Sequence, residues 1–341
     1  MFNAMRKKSG WAIVIVTIYF ISTLSLAFSS NTSADIIIVE DWIVTGEEHY
    51  DNETYIVNQD IVVQDGGKLY LDNVTIKFNA GGNGVYGFMV QAGGELYTRY
   101  CNITTNHPEL DEAGNYYFEI YGSARLDRTV IERMTYNFQG GLEIYSDNVI
   151  VSNCTIRGGP GQGIYCDGTS PQIADTRVTN CADGVAIVNS ASPIIIRCNL
   201  SWNGNGIDCD YFSDITIENS TISENGGDGL QIIESFATIL NSTIFNNGHQ
   251  GGMGVLSWTG ATTTLVNCTL YGNTDGDYAY DPGSQIIVQN WLDLSVIDNA
   301  SSPIPNANVT ARDINGDIEW EGGTDDYGQA LVPLTNFILG K

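Results

Sequence analysis

The chain has 341 residues, and its 14 Lys and Arg against 40 Asp and Glu give a formal net charge of −26 at pH 7. A surface this acidic repels phosphate backbones, which argues against nucleic acid as a partner and leaves cations and neutral or basic partners open. With 38 Gly, 8 Pro and 43% hydrophobic residues, the composition is not that of a disordered chain, and its many β-branched residues point to an all-β fold.

The chain opens with Arg6, Lys7 and Lys8, an uncharged run of 18 residues from Trp11 to Phe28, and a small polar stretch from Ser29 to Ala34. That order is the order of a secretory signal, predicting a signal helix over 1–34 with cleavage after Ala27 or Ala34. An uncleaved anchor is the alternative, although 18 residues barely cross a bilayer. Either outcome places the remainder in a secreted or cell-surface setting. Residues 35–64 read as strands that cap the N-terminal end of a solenoid, a fold that exposes an unpaired layer at each end.

A short motif then recurs: a polar residue, a small one, usually Thr, and an aliphatic. The aliphatic positions are Ile76, Ile103, Ile131, Ile156, Val178, Leu200, Ile222, Ile244 and Leu270, with a step of 22 residues from Ile156 through Ile244. A second marker keeps time with it, a Gly before a short β run at Gly141, Gly163, Gly184, Gly206, Gly229 and Gly254. Leucine-rich repeats share this step but need fixed leucines and usually a helix. Here each unit holds three short β runs between Gly, Asn and Asp turns. The pattern predicts a right-handed, single-stranded parallel β-helix over residues 65–290, its rungs about 4.8 Å apart.

Equivalent positions of such a helix stack. Two residues before each aliphatic stand Val74, Cys101, Thr129, Cys154, Thr176, Cys198, Ser220, Ser242 and Cys268. Strand alternation turns them to the same inner face. Three residues after it stand Asn203, Asn225, Asn247 and Asn273, which read as a structural ladder of amides along the axis. The segments Asp228 to Asn247 and Asn205 to Asn225 resemble the right-handed β-helix repeat family, the pectate-lyase-like superfamily. That resemblance spans about residues 55–290. It implies the fold and leaves activity open, because the superfamily holds lyases, glycosidases, esterases, phage tailspikes and inert surface proteins.

The repeat stops at Trp291. The pieces Val296-Ile297-Asp298, Pro303 to Val309 and Thr324 to Gly328 resemble the carboxypeptidase-regulatory-like or bacterial Ig-like β-sandwich family. The resemblance implies a partial module over 291–341, serving as spacer or adhesive unit.

Seven cysteines in an exported chain suggest disulfides. The repeat argues otherwise, since like-positioned cysteines stand about 9.6 Å apart, two rungs, beyond disulfide reach. Buried free thiols are expected, with a cross-coil Cys154–Cys166 pair as the alternative. Eleven N-x-S/T sequons occur, and those at Asn73, Asn153, Asn219, Asn241 and Asn267 all fall three residues before the aliphatic. A turn that wants Asn next to a strand that wants Thr explains most of them, and glycosylation is the functional alternative.

For function, the strand after each marker Gly matters most. Its outward positions include Glu143, Tyr145, Tyr165, Asp167, Asp208, Asp210 and Trp258. Rings beside carboxylates suit a polysaccharide, so Glu143, Tyr145, Tyr165, Asp167 and Trp258 are the candidate glycan-binding residues. Asp208 and Asp210, two residues apart on a strand, would stand about 7 Å from one another, the separation of an inverting acid–base pair. They are the candidate catalytic residues. Against chemistry, the polygalacturonase motifs implied by the superfamily are missing, with only Gly248-His249-Gln250-Gly251 in their place, and the short coils leave little length for cleft walls. No cofactor or metal is expected, apart from Ca²⁺ at the Asp-rich turns Asp275, Asp277 and Asp281. The function expected is structural, adhesive or carbohydrate-binding work on an extracellular glycan or cell-surface component, with a polysaccharide lyase or glycoside hydrolase as the alternative.

Overall fold

The computed structural model describes residues 14–15, 35–80, 85–107, 115–134, 140–313 and 315–340. The expected signal helix lies outside the described residues, except that Val14–Ile15 form a two-residue strand parallel to Ile36–Ile37. The rest is a right-handed parallel β-helix of three sheets, as the repeat predicts.

Each rung contributes one strand to each sheet. Sheet A holds the recurring motif, for example Thr155–Arg157, Arg177–Thr179 and Asn199–Ser201. Sheet B follows the marker Gly, as in Leu142–Ile144 and Asn205–Cys209. Sheet C closes the lap, as in Glu95–Arg99, Ser123–Asp127 and Asp214–Glu218. Neighbouring strands pair parallel and in register, so Ile156, Val178, Leu200 and Ile222 lie in file. These side chains are fully buried, as are inward aliphatics of the other two sheets such as Ile207 and Ile217. The wider early rungs fill their extra interior with ring stacks, Phe78 on Tyr116 at 4.6 Å and Phe88 on Phe118 at 4.9 Å.

The asparagines form a continuous ladder. Asn225 Nδ2 donates to Asn247 Oδ1 at 2.8 Å, and Asn247 Nδ2 to Asn273 Oδ1 at 3.0 Å. Each Oδ1 also takes a backbone N–H from the rung before, from Cys181, Asn203, Asn225 and Asn247 in turn. Buried turn amides that no strand could pair are satisfied this way. The corner from sheet C to sheet A is left-handed at every rung, at Asn52, Asn73, Tyr100, Arg128, Asn153, Asp175, Arg197, Asn219, Asn241 and Asn267, with φ between 48° and 58°. Asn tolerates that region best among residues with a Cβ, which accounts physically for the sequon column.

At both ends strands join the helix directly. Within 35–64, Ile36–Ile38, Trp42–Val44 and Glu47–Asp51 pair as a full rung. The parallel pairing of the repeat ends at Gln289, just before Trp291. Strand Gln285–Ser295 runs straight through it, pairing parallel with Thr262–Val266 and antiparallel with Gln329–Leu339. A second antiparallel pair, Asn308–Arg312 with Ile318–Gly323, completes the C-terminal part. All seven cysteines are free, and six are buried.

Candidate functional site

The outward side of sheet B carries the residues singled out in the sequence, and the structure divides them. Glu143 and Tyr165 occupy outward positions yet are only 2% and 5% exposed. Tyr145 OH and the Gly140 N–H donate to Glu143, at 2.6 and 3.2 Å. Burial is the main cause that raises the Glu143 carboxyl and pushes the Tyr165 phenol up to about 12. These two are therefore internal supports of the face, a correction to their reading as free ligand contacts. Tyr145 meets Tyr165 edge-on at 6.3 Å and stacks on Tyr121 at 4.7 Å, a partner that sequence reasoning missed. Asp167 lies beside this group, with Tyr165 OH donating to it at 3.5 Å. Trp258 does not belong there. It shares the column of Tyr145 but stands five rungs along, roughly 24 Å away at 4.8 Å per rung.

Asp208 sits between Ala186 and Gln231 in its column. Its carboxyl is pushed up to about 7, first by burial, then by the charges of Asp210, Asp183 and Asp228. Burial raises Asp210, Asp183 and Asp228 as well. Asp208 Oδ1 and Asp210 Oδ1 are buried atoms without a hydrogen-bond partner among the described residues. A carboxyl raised in this way holds its proton toward neutral pH, as a general acid must. The Asp-rich turns have a structural use. Asp275 accepts the Gly252 N–H, Asp277 accepts from Asn273 Nδ2, and Asp281 accepts from Thr259 N–H and Ser284. Among the described residues no group of three His, Cys, Asp or Glu is placed to hold a metal ion.

A cavity of ≈ 490 Å³ lies elsewhere, on the outer side of sheet C at the N-terminal end. One wall is the column His49, Tyr70, Tyr97, Arg125, in register on four successive rungs. The three rings stack, His49 on Tyr70 at 4.3 Å and Tyr70 on Tyr97 at 4.6 Å, their planes within 5°. The opposite wall is the column Asp51, Asp72, Arg99, Asp127. Arg99 is paired with Asp72, whose carboxyl the guanidinium holds below its ordinary range. Tyr97 OH donates to Glu95, itself paired with Lys68. Arg125 lines the groove one rung beyond Tyr97, the last ring of the stack. Sequence reasoning missed this site, although Tyr70 and Tyr97 both follow a Gly-Gly-x-Leu turn.

Comparison with known proteins agrees with this architecture. A periplasmic alginate epimerase, solved as a variant, superposes with a TM-score of 0.50 at 13% identity, over 69% of this chain and 62% of that one. This chain thus spans less than two thirds of that enzyme. The A-module of mannuronan C-5 epimerase AlgE4 from Azotobacter vinelandii gives 0.46 at 12% identity, over 76% and 86%. The enzymatically active domain of bacteriophage CBA120 tailspike protein 2 gives 0.37 at 13%, over 75% and 42%. At such identities the likeness concerns the fold alone. No curated protein matches the sequence. The family described as right handed beta helix region matches residues 40–181 and 140–292, and the chain belongs to that family.

Proposed function

We propose that the protein is a secreted or cell-surface β-helix scaffold that binds an extracellular glycan without cleaving it, the glycan lying along the groove of sheet C. The observation that carries this reading is the groove itself, walled by the His49–Tyr70–Tyr97 stack and ending at Arg125. Stacked rings cover each other's faces, so the stack offers ring edges along the groove and an outer ring face at each end, at His49 and at Tyr97. The Tyr97 end adjoins Arg125. A sugar ring stacks on Tyr97 there, and its hydroxyl or carboxylate oxygens accept from Arg125. The Asp72–Arg99 pair supplies further acceptors and donors. The basic and apolar N-terminus supports export, and the C-terminal antiparallel pairs serve as spacer or cap.

The test is a glycan array with neutral and acidic oligosaccharides, read for the full chain and for Tyr97→Ala and Arg125→Ala. Binding is expected, with a loss of tenfold or more in each variant and an unchanged melting temperature. An array with no signal for the full chain would sink the proposal.

A second reading has one observation in its favour, the Asp208 carboxyl near neutrality beside Asp210. In it Asp208 protonates a glycosidic oxygen and Asp210 activates water or abstracts a proton. Reducing-end and unsaturated-product assays decide it: product that vanishes in Asp208→Asn would replace the binding reading with catalysis.

A further inference from the structure

At the corner from sheet B to sheet C, two successive rungs each turn through two left-handed residues. In one rung these are Asn189 (φ 59°) and Ser190 (φ 65°). One rung on, Tyr211 (φ 55°) and Phe212 (φ 60°) hold the same two places, since Ile187 pairs with Cys209 and Ser190 N–H donates to Tyr211 O. The left-handed region is uphill for bulky side chains, and the polar pair below shows that this turn does not demand rings. Nor do the rings gain burial there, being 57% and 69% exposed. On the next rung Phe236 pairs with Asp214 and is 53% exposed; on the one after, Trp258 pairs with Ile233 and is 47% exposed. Four large aromatic side chains thus share one corner across three rungs. Unlike Tyr70 and Tyr97, none of them meets another ring among the described residues, and each is about half exposed or more.

The charge around them has one sign. Asp210, Asp214 and Glu234 lie on the same turns, and from residue 198 to residue 311 the chain contains no Lys or Arg. An anionic polymer or an anionic membrane is repelled by such a surface. Exposed rings beside carboxylates suit a ligand with apolar C–H faces and hydroxyl donors. We propose that Tyr211, Phe212, Phe236 and Trp258 form a second binding ridge, whose ligand is a neutral polysaccharide. The rings lie against pyranose faces, and Asp214 and Glu234 accept hydroxyl hydrogens. The ridge starts four rungs beyond Arg125, roughly 19 Å along the axis at 4.8 Å per rung, so it stands or falls separately from the groove.

The test is co-sedimentation with insoluble cellulose, β-1,3-glucan, xylan, chitin and starch at 0.1 M and 1 M NaCl. The full chain is compared with Trp258→Ala and with the double variant Tyr211→Asn, Phe212→Ser, which copies the rung below and relieves the strained turn. At least one neutral polymer is expected to retain the full chain at both salt concentrations. Both variants should weaken retention tenfold or more, and the double variant should melt no lower than the full chain. Arg125→Ala should leave this retention intact while it abolishes binding in the groove. Absence of retention on every polymer overturns the proposal, as does retention that the variants do not change. Flotation with phosphatidylcholine vesicles, or a concentration-dependent dimer, that the double variant abolishes would give the ridge to a lipid surface or a second copy and overturn it too.

Discussion

Asn225 links three rungs: its Nδ2 donates to Asn247 Oδ1 at 2.8 Å, while its Oδ1 receives the backbone N–H of Asn203 at 2.9 Å. The same Nδ2 reaches the Leu200 carbonyl at 3.2 Å. Replacing it with Ala leaves the buried Asn203 N–H without its acceptor and takes one donor each from the Leu200 carbonyl and Asn247 Oδ1. Each orphaned group costs about 1–3 kcal/mol. Asn225→Asp should also destabilise, because a carboxylate cannot donate to Leu200 or Asn247. Denaturant midpoints measure both, and values equal to that of the unaltered protein would mean the ladder is decoration.

Asp208 sets a pH dependence. Its folded carboxyl titrates near 7, against about 3.9 in an unfolded chain. The folded state therefore holds the extra proton between these values. Its stability is full below pH 4 and is lost as pH rises through 7, by a few kcal/mol at most at about 1.4 kcal/mol per tenfold change in proton affinity. Asp208→Asn should flatten that part of the profile and raise the melting temperature at pH 8. Melting curves from pH 4 to pH 8 check this, and a variant with an unchanged profile would show that Asp208 is not the titrating group.

The left-handed corner predicts different outcomes for two small replacements. Asn219→Ala should cost up to about 1 kcal/mol, because Ala keeps the Cβ that crowds the backbone at φ 51° and lacks the short amide that lets Asn tolerate it. Asn219→Gly should be close to neutral, since Gly enters that region freely. Both remove the sequon, so a matching loss in the two variants would point to an attached glycan instead of backbone strain.

The buried thiols should be silent in the native protein. Burial pushes Cys154 and Cys209 up to about 12, and Cys181 and Cys198 up to about 11. A thiol reagent at pH 8 is expected to label the six buried thiols only after unfolding. Ser should be accepted at Cys198, where the Ile196 carbonyl is already a partner at 3.4 Å and Ser220 holds the next place in the column. At Cys166, fully buried beside Ile187, a hydroxyl with no partner should cost about 1–3 kcal/mol. Equal losses at the two sites would contradict this account.

The repeat was legible because stacking is periodic. Val178, Leu200 and Ile222 recur at the rung length, and each faces inward by strand alternation, so the core and the asparagine file follow from spacing. What spacing does not reveal is how turns fold over a face. Glu143 and Tyr165 have outward parity and are nevertheless covered. Trp258 shares a column with Tyr145, but column membership says nothing of distance along the axis. The Tyr70–Tyr97 stack was harder to read because its rungs are longer than the regular 22-residue ones, and the aligned rings come into view only once the Gly-Gly turns are superposed. Tyr211 and Phe212 were invisible as a feature, since their exposure depends on left-handed dihedrals that neighbouring Asn189 and Ser190 adopt too.

The reversed direction of Gln329–Leu339 against Gln285–Ser295 has a consequence for self-association. A parallel stack invites elongation, because its final strand offers the slanted hydrogen-bond pattern that the first strand of another copy would match. An antiparallel strand offers alternating narrow and wide pairs instead. On sheet C, then, Gln329–Leu339 presents an edge whose hydrogen-bond pattern a parallel strand of another copy would not match.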